Sequence, residues 1–185
     1  MTRIVALGGT VKPSSSTELA LGVAVRSARE AGADIQVFDG AYLVDLPHYA
    51  GPGHCSSSGT ELIKAVREVD GMIIATPGYH GTISGVVKNA LDYLEDLAED
   101  GRPYLDGRAV GLVATAYGHQ AAMSSLQTLR AITHALRGWP TPFGAAIRTH
   151  AALFSREGAC LEEASKGQLE LVGKQVAMGA EKLSK

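Results

Sequence analysis

Aromatic rings, cysteines and long apolar runs are all scarce in this 185-residue chain, and each scarcity excludes a class of protein. The only two cysteines, Cys55 and Cys160, stand far apart and outside any CxxC or Cys/His ligand spacing. That argues against a disulfide framework or a metal site and for reduced thiols. Neither sign of charge dominates: 17 basic and 19 acidic residues give a net charge of −2. Without a Lys/Arg cluster to displace counterions from phosphates, no nucleic-acid partner is expected. No stretch approaches the roughly 20 apolar residues of a membrane span. The apolar run in MTRIVALGGT is too short for a secretory core and lacks a small-residue cleavage site. A soluble cytoplasmic protein without membrane partners is the expectation. GxxxxGK[ST] and GxGxxG are absent as well.

Glycine is in excess: 22 of 185 residues, about 12% against a background near 7%. No Gly-X-Y period or Gly/Pro block accounts for the surplus, so it belongs to turns and close backbone approaches in a globular chain. The length suits one domain over residues 1–185.

Five short apolar runs recur, at Ile4–Leu7, Ile35–Phe38, Met72–Ala75, Val110–Ala114 and Phe143–Ile147. Their continuity suits parallel strands buried on both faces. Between and after them lie helical spacings over Thr17–Ala31, Leu62–Val69, Ser84–Leu97, Gln120–Leu136 and Leu161–Leu183, with Gly32 and Gly138 placed as helix ends. Alternation of this kind predicts an α/β fold, a five-stranded parallel sheet with helices on both faces; 2-1-3-4-5 is the usual strand order. Ala41–Ser58 reads as one long connection. Ligands in such sheets bind beyond the carboxyl ends of the strands, which selects three loops.

The first is Gly8-Gly9-Thr10-Val11-Lys12-Pro13-Ser14-Ser15-Ser16-Thr17. Its hydroxyls, its lysine and the following helix N-terminus make a phosphate site; one hydroxyl is also explained as an ordinary N-cap. The second runs Thr76-Pro77-Gly78-Tyr79-His80-Gly81-Thr82-Ile83-Ser84-Gly85. Here proline stiffens the strand exit, glycines let backbone lie against a flat ligand, and Tyr79 can stack or hydrogen-bond. His80, with no carboxylate in the loop, reads more readily as a solvated histidine than as a catalyst. The third, Ala114-Thr115-Ala116-Tyr117-Gly118-His119-Gln120, again meets a helix N-terminus; Ser124 and Ser125 within that helix read as solvated.

The stretch TPGYHGTISGVVKNALDYL resembles the TPxYxxSxSGxLKNxLDxL signature of NADPH-dependent FMN reductases, a flavodoxin-like group that includes azo-, quinone and chromate reductases. GGTVKPSSSTELAL is similar to the family's GSxRxxSxxxxL phosphate loop, with Lys12 where arginine is usual and Thr10 where serine is usual. The resemblance runs from Arg3 to about Ile147 and implies a flavodoxin-like three-layer sandwich. It implies that Thr10, Lys12, Ser15, Ser16 and Thr17 hold the FMN phosphate. Pro77, Gly78, Tyr79, His80 and Gly81 would flank the flavin ring, and Thr115, Tyr117 and Gly118 would cover its pyrimidine end. Asp45-Leu46-Pro47-His48-Tyr49 looks like the family's LPxY segment, which reaches towards a partner's flavin, and Asn89, Asp92 and Tyr93 fall on its dimer-forming helix.

With no acid/base pair found, the implied activity is hydride transfer from NADPH or NADH to FMN, in a homodimer or homotetramer, without a metal. One alternative is a quinone, azo or chromate reductase with bound flavin. Another, of a different class, is a flavodoxin-like electron carrier, disfavoured by the near-neutral charge. Asp39 at the end of strand two is placed as structural.

Overall fold

Four apolar runs become the parallel strands β1 (Arg3–Gly8), β2 (Asp34–Phe38), β3 (Gly71–Tyr79) and β5 (Ala109–Ala116) of a computed structural model that describes residues 1–184. A two-residue strand, β4 (Thr82–Ile83), folds back antiparallel on β3. Beyond β5 the fifth position of the sheet is broken into β6 (Trp139–Pro140) and β7 (Ala145–Arg148), both parallel to β5. The order is β2-β1-β3-β5 followed by these two pieces. The expected order therefore holds, but the sheet has seven strands where five were expected. Pro140 and Pro142 explain the break, because neither has an N–H to give to the ladder. Thr141 between them donates its N–H to the Val110 carbonyl at 2.9 Å, and regular pairing resumes only at Ala145.

Strand continuity follows from two cores. Met72 and Ile74 pack with Leu62, Val66, Leu91, Leu126 and Leu129 on one face. Ile73 and Ala75 pack with Leu21, Val25, Val172 and Val176 on the other. The first face is covered by α3 (Ser57–Arg67), α4 (Gly85–Asp92, continuing as a 3-10 turn over Tyr93–Leu97) and α5 (His119–Ala135). The second is covered by α1 (Ser16–Glu30) and α6 (Glu163–Leu183). α6 lies close on α1 because Gly173 has no side chain: a Cβ there would stand 2.2 Å from the Ala24 carbonyl oxygen.

Helix ends show one agreement and one correction. After α1, Gly32 at φ +91° donates to Arg29, and Ala33 donates to Ala28, closing the helix in a Schellman motif. After α5 the left-handed residue is Arg137 at φ +60°, not the expected Gly138. Gly138 is instead held tight, since a Cβ there would lie 2.9 Å from the Thr133 methyl. The long connection also contains a helix that periodicity did not reveal, α2 (Gly40–Asp45). Asp39 caps it by accepting the Tyr42 N–H at 3.0 Å, the structural role expected of that carboxylate.

Candidate flavin site at the carboxyl ends of the strands

The loop after β1 begins with two glycines that serve close backbone approaches. A Cβ on Gly8 would lie 2.4 Å from the Ala75 oxygen, and one on Gly9 would lie 2.8 Å from the Gly40 nitrogen. These glycines let backbone pass backbone and make no wall for a ligand. From there the hydroxyls organise the turn. Thr10 Oγ1 accepts the Lys12 N–H at 3.1 Å, and Ser15 Oγ caps α1 by accepting the Glu18 N–H at 3.2 Å. The Glu18 carboxylate reaches back to the Ser14 N–H at 2.8 Å, one residue before the N-cap N–H that a capping box would use. The N–H groups of Ser16 and Thr17, in the first turn of α1, have no intrahelical acceptor and sit at the positive end of the helix dipole. Thr17 and Thr115 share a buried hydroxyl–hydroxyl bond of 2.7 Å, which ties this helix to the third loop.

The second loop is a tight hairpin. β3 continues through Pro77-Gly78-Tyr79, past the expected end at Ala75. His80 at φ +50° and Gly81 at φ +87° form the two-residue turn into β4, the paired left-handed geometry of a type I′ hairpin. From α5, Ser124 Oγ donates to the Gly81 carbonyl at 2.7 Å and Ser125 Oγ to the Thr82 carbonyl at 3.1 Å. Those serines, expected to be merely solvated, fasten the hairpin. Gly78 permits the contact: a Cβ there would lie 2.8 Å from Ser125 Oγ and 3.0 Å from the Ala121 oxygen. Thr76 Oγ1 accepts the Ser84 N–H at 3.0 Å and fixes the entry to α4.

A cavity of about 360 Å³ opens between the three loops. Thr10, Lys12, Ser15, Ser16 and Thr17 line it from the first, Pro77, Gly78 and Tyr79 from the second, and Thr115 and Tyr117 from the third. His80, Gly81 and Gly118 lie outside its lining: the first two form the hairpin turn, and Gly118 is the residue before α5. Ser14, Ala116 and Thr149 line the cavity without having been anticipated. Thr149 follows β7 and donates its N–H to the Ala116 carbonyl at 2.7 Å. The strand-end rule that selected three loops applies equally to this fifth position. Lys12 and the hydroxyls of Thr10, Ser15, Ser16 and Thr17 come from the first loop, whereas Tyr79, 50% exposed, and Tyr117, 85% exposed, come from the second and third.

The segment after α2 is held within the chain by the helix that follows the hairpin. Asn89 Oδ1 accepts the Tyr49 N–H at 2.9 Å, and its Nδ2 donates to the Pro47 carbonyl at 2.9 Å. Tyr93, 1% exposed, donates its hydroxyl to the same carbonyl at 2.8 Å. Asn89 and Tyr93 thus clamp the LPxY-like segment, and Tyr93 presents no interface; Asp92 pairs with Lys88 on the surface. Asp96 accepts from Tyr49 Oη at 2.7 Å and Cys55 Sγ at 3.2 Å. Burial acts to raise the Asp96 pKa, but these donors and the Gly53 N–H outweigh it and hold the carboxyl below its ordinary value. Burial, then the bond to Asp96, pushes the Cys55 thiol up to about 11. Burial, then Arg102, lowers the buried Arg108 to about 10. None of these shifted groups lines the cavity.

Comparison with known proteins gives the arrangement a family. Residues 2–152 match the family model described as NADPH-dependent FMN reductase. An FMN-dependent NADPH-azoreductase of Staphylococcus aureus is 33% identical over 96 residues, 52% of this chain and 46% of the relative. A subunit of the NADH-dependent flavin reductase of Lactobacillus johnsonii is 28% identical over 100 residues, 54% of this chain and 53% of the relative. The chain spans about half the length of the curated relatives it matches. Among solved structures, the flavoenzyme NAD(P)H:(acceptor) oxidoreductase of Paracoccus denitrificans superposes with a TM-score of 0.80 at 19% identity, covering 98% of both chains. That likeness is one of fold.

Proposed function

The chain belongs to the NADPH-dependent FMN reductase family, and from that premise we propose that it transfers hydride from NADPH or NADH to FMN held in the cavity between its three loops. The observation that carries the proposal is the convergence of ten anticipated residues from three strand ends on one cavity, with hydroxyls and a cation from the first loop and a tyrosine from each of the other two. The donor set suits a ribityl phosphate: Lys12, the Ser16 and Thr17 amides, and the Ser16 side chain surround the α1 N-terminus. Thr10 and Ser15 serve first as turn and cap, and their role toward the phosphate is through the loop shape they fix. Pro77, Gly78 and Tyr79 form one wall for the ring, held rigid by the serine-fastened hairpin. His80 and Gly81 belong to the reading as that hairpin's turn. Thr115, Tyr117 and Gly118 lead into α5, whose N-terminus favours negative charge at the pyrimidine edge.

FMN, when bound there, supplies the hydride chemistry between nicotinamide and acceptor. What the protein contributes is position, a dry wall and charge. The exposure of Tyr79 and Tyr117 leaves the ring end open, which supports a second reading in which FMN stays bound and a quinone, azo compound or chromate follows the nicotinamide at the same face. Family membership weighs against a simple electron carrier. A homodimer or homotetramer in the cytoplasm completes the proposal; light scattering on the purified protein checks the oligomer.

The visible spectrum of freshly purified protein separates the readings. A flavin band near about 450 nm favours resident FMN. Colourless protein that oxidises NADPH once FMN is added favours FMN as substrate. Neither colour nor FMN-dependent NADPH oxidation would refute both.

A further inference from the structure

A second cavity, of about 460 Å³, adjoins the first. Ser14, Ser16 and Leu19 line it from the first loop and α1, and His150, Phe154, Arg156 and Glu157 from the segment after β7. Ser14 and Ser16 line both cavities, so the two meet at the phosphate loop. Pro77, Gly78, Tyr79 and Tyr117, which mark the ring end of the first, do not line the second. A molecule entering the second cavity from the first therefore arrives past the phosphate and not across the ring.

The outer wall of this second cavity is a built element. Leu161 donates its N–H to Leu153 at 2.9 Å, Ser155 to Ala159 at 2.8 Å, and Gly158 to Ser155 at 3.1 Å. Ser155 Oγ accepts the N–H groups of Glu157 and Ala159, each at 3.2 Å. Gly158 turns the chain at φ +83°. These bonds hold Arg156 at the tip of a small hairpin, where its guanidinium has no hydrogen-bond or ion-pair partner among the described residues. An unpaired guanidinium suits a phosphate, and the Phe154 ring suits a flat base.

We infer that the second cavity takes the adenylyl half of a flavin dinucleotide, with Arg156 supplying the countercharge for its second phosphate, so that the protein binds FAD as well as FMN. The inference rests on the flavin reading of the first cavity. Calorimetric titration of the flavin-free protein with FMN and with FAD tests both. Arg156→Ala removes the charge, and Ala151→Trp fills the cavity from an exposed lining position. Wild type is expected to bind FAD at least as tightly as FMN. Each variant should weaken FAD by about tenfold or more while FMN stays within about twofold. FMN binding with FAD rejected, or FAD binding untouched by both variants, would overturn the adenylyl subsite alone. Variants that weaken NADPH binding to the FMN-loaded protein and spare FAD would also overturn it, assigning the cavity to the adenosine of the nicotinamide nucleotide. Failure of FMN itself to bind would overturn the reading beneath it.

Discussion

Among the described residues Lys12 is the one cationic side chain that lines the candidate flavin cavity, and it is exposed on a turn fixed by Thr10. An exposed ammonium is screened by salt, so its contribution is modest. Lys12→Ala is expected to raise the FMN dissociation constant about tenfold at low salt, with little change in turnover at saturating flavin. Titrations at two salt concentrations check this, and the variant should lose part of the wild-type salt dependence. Asp96 offers a second test away from the cavity. Its carboxylate joins Tyr49, Cys55 and the Gly53 N–H, so Asp96→Ala should cost about 1.5–3 kcal/mol in chemical denaturation. Because its folded pKa lies below the ordinary value of 3.8, this stabilisation is present above about pH 4 and disappears as pH falls through the depressed value. The wild-type advantage over the variant should therefore shrink on acidification. Sequence revealed Lys12 through the phosphate-loop pattern, but nothing local marks Asp96, whose partners stand more than forty positions away.

At the scale of elements, the hairpin over β3 and β4 supplies the proposed wall for the flavin ring. Gly78→Ala would push a methyl group against Ser125 Oγ and the Ala121 carbonyl, an overpacking expected to cost about 1–3 kcal/mol and to loosen the ring wall. A lowered urea midpoint with an unchanged slope, together with weaker FMN binding, is the predicted result. Gly173→Ala is its counterpart on the far face. It forces α6 away from the Ala24 backbone and should also destabilise by at least about 1–3 kcal/mol, with FMN affinity kept at temperatures where the variant is folded. Comparison of the two variants separates hairpin from scaffold.

The central strands were legible because they are apolar on both faces, and this continuity survives in the two cores on either side of Met72–Ala75. Three things were not. α2 spans only six residues, too few for a helical period to show. The His80-Gly81 turn looked like a ligand-facing tip because paired positive φ values are not written in composition. The backbone that the glycines at 8 and 9 clear, at Ala75 and Gly40, is remote in sequence and so left no local mark.

Across the whole molecule, the sheet gathers loops from β1, β3, β5 and β7 at one end, so a ligand there bridges segments from Thr10 to Thr149. Binding to such a junction stabilises the folded chain as a unit. FMN at a hundred times its dissociation constant should add about 2.7 kcal/mol and raise the melting temperature by about 5–10 °C. Calorimetry with and without FMN checks the shift. The segment resembling LPxY was identified by its residues, but its clamp by Asn89 and Tyr93 became visible only once the chain was folded.

The central claim is that this cavity holds FMN for reduction by a nicotinamide nucleotide. Anaerobic mixing of the protein with FMN and excess NADPH, or NADH, followed at about 450 nm, tests it most directly. The account predicts protein-dependent bleaching of the flavin band that slows in Lys12→Ala at limiting FMN and recovers when FMN is saturating. A band that persists with both nucleotides, at the rate of the mixture without protein, would contradict it.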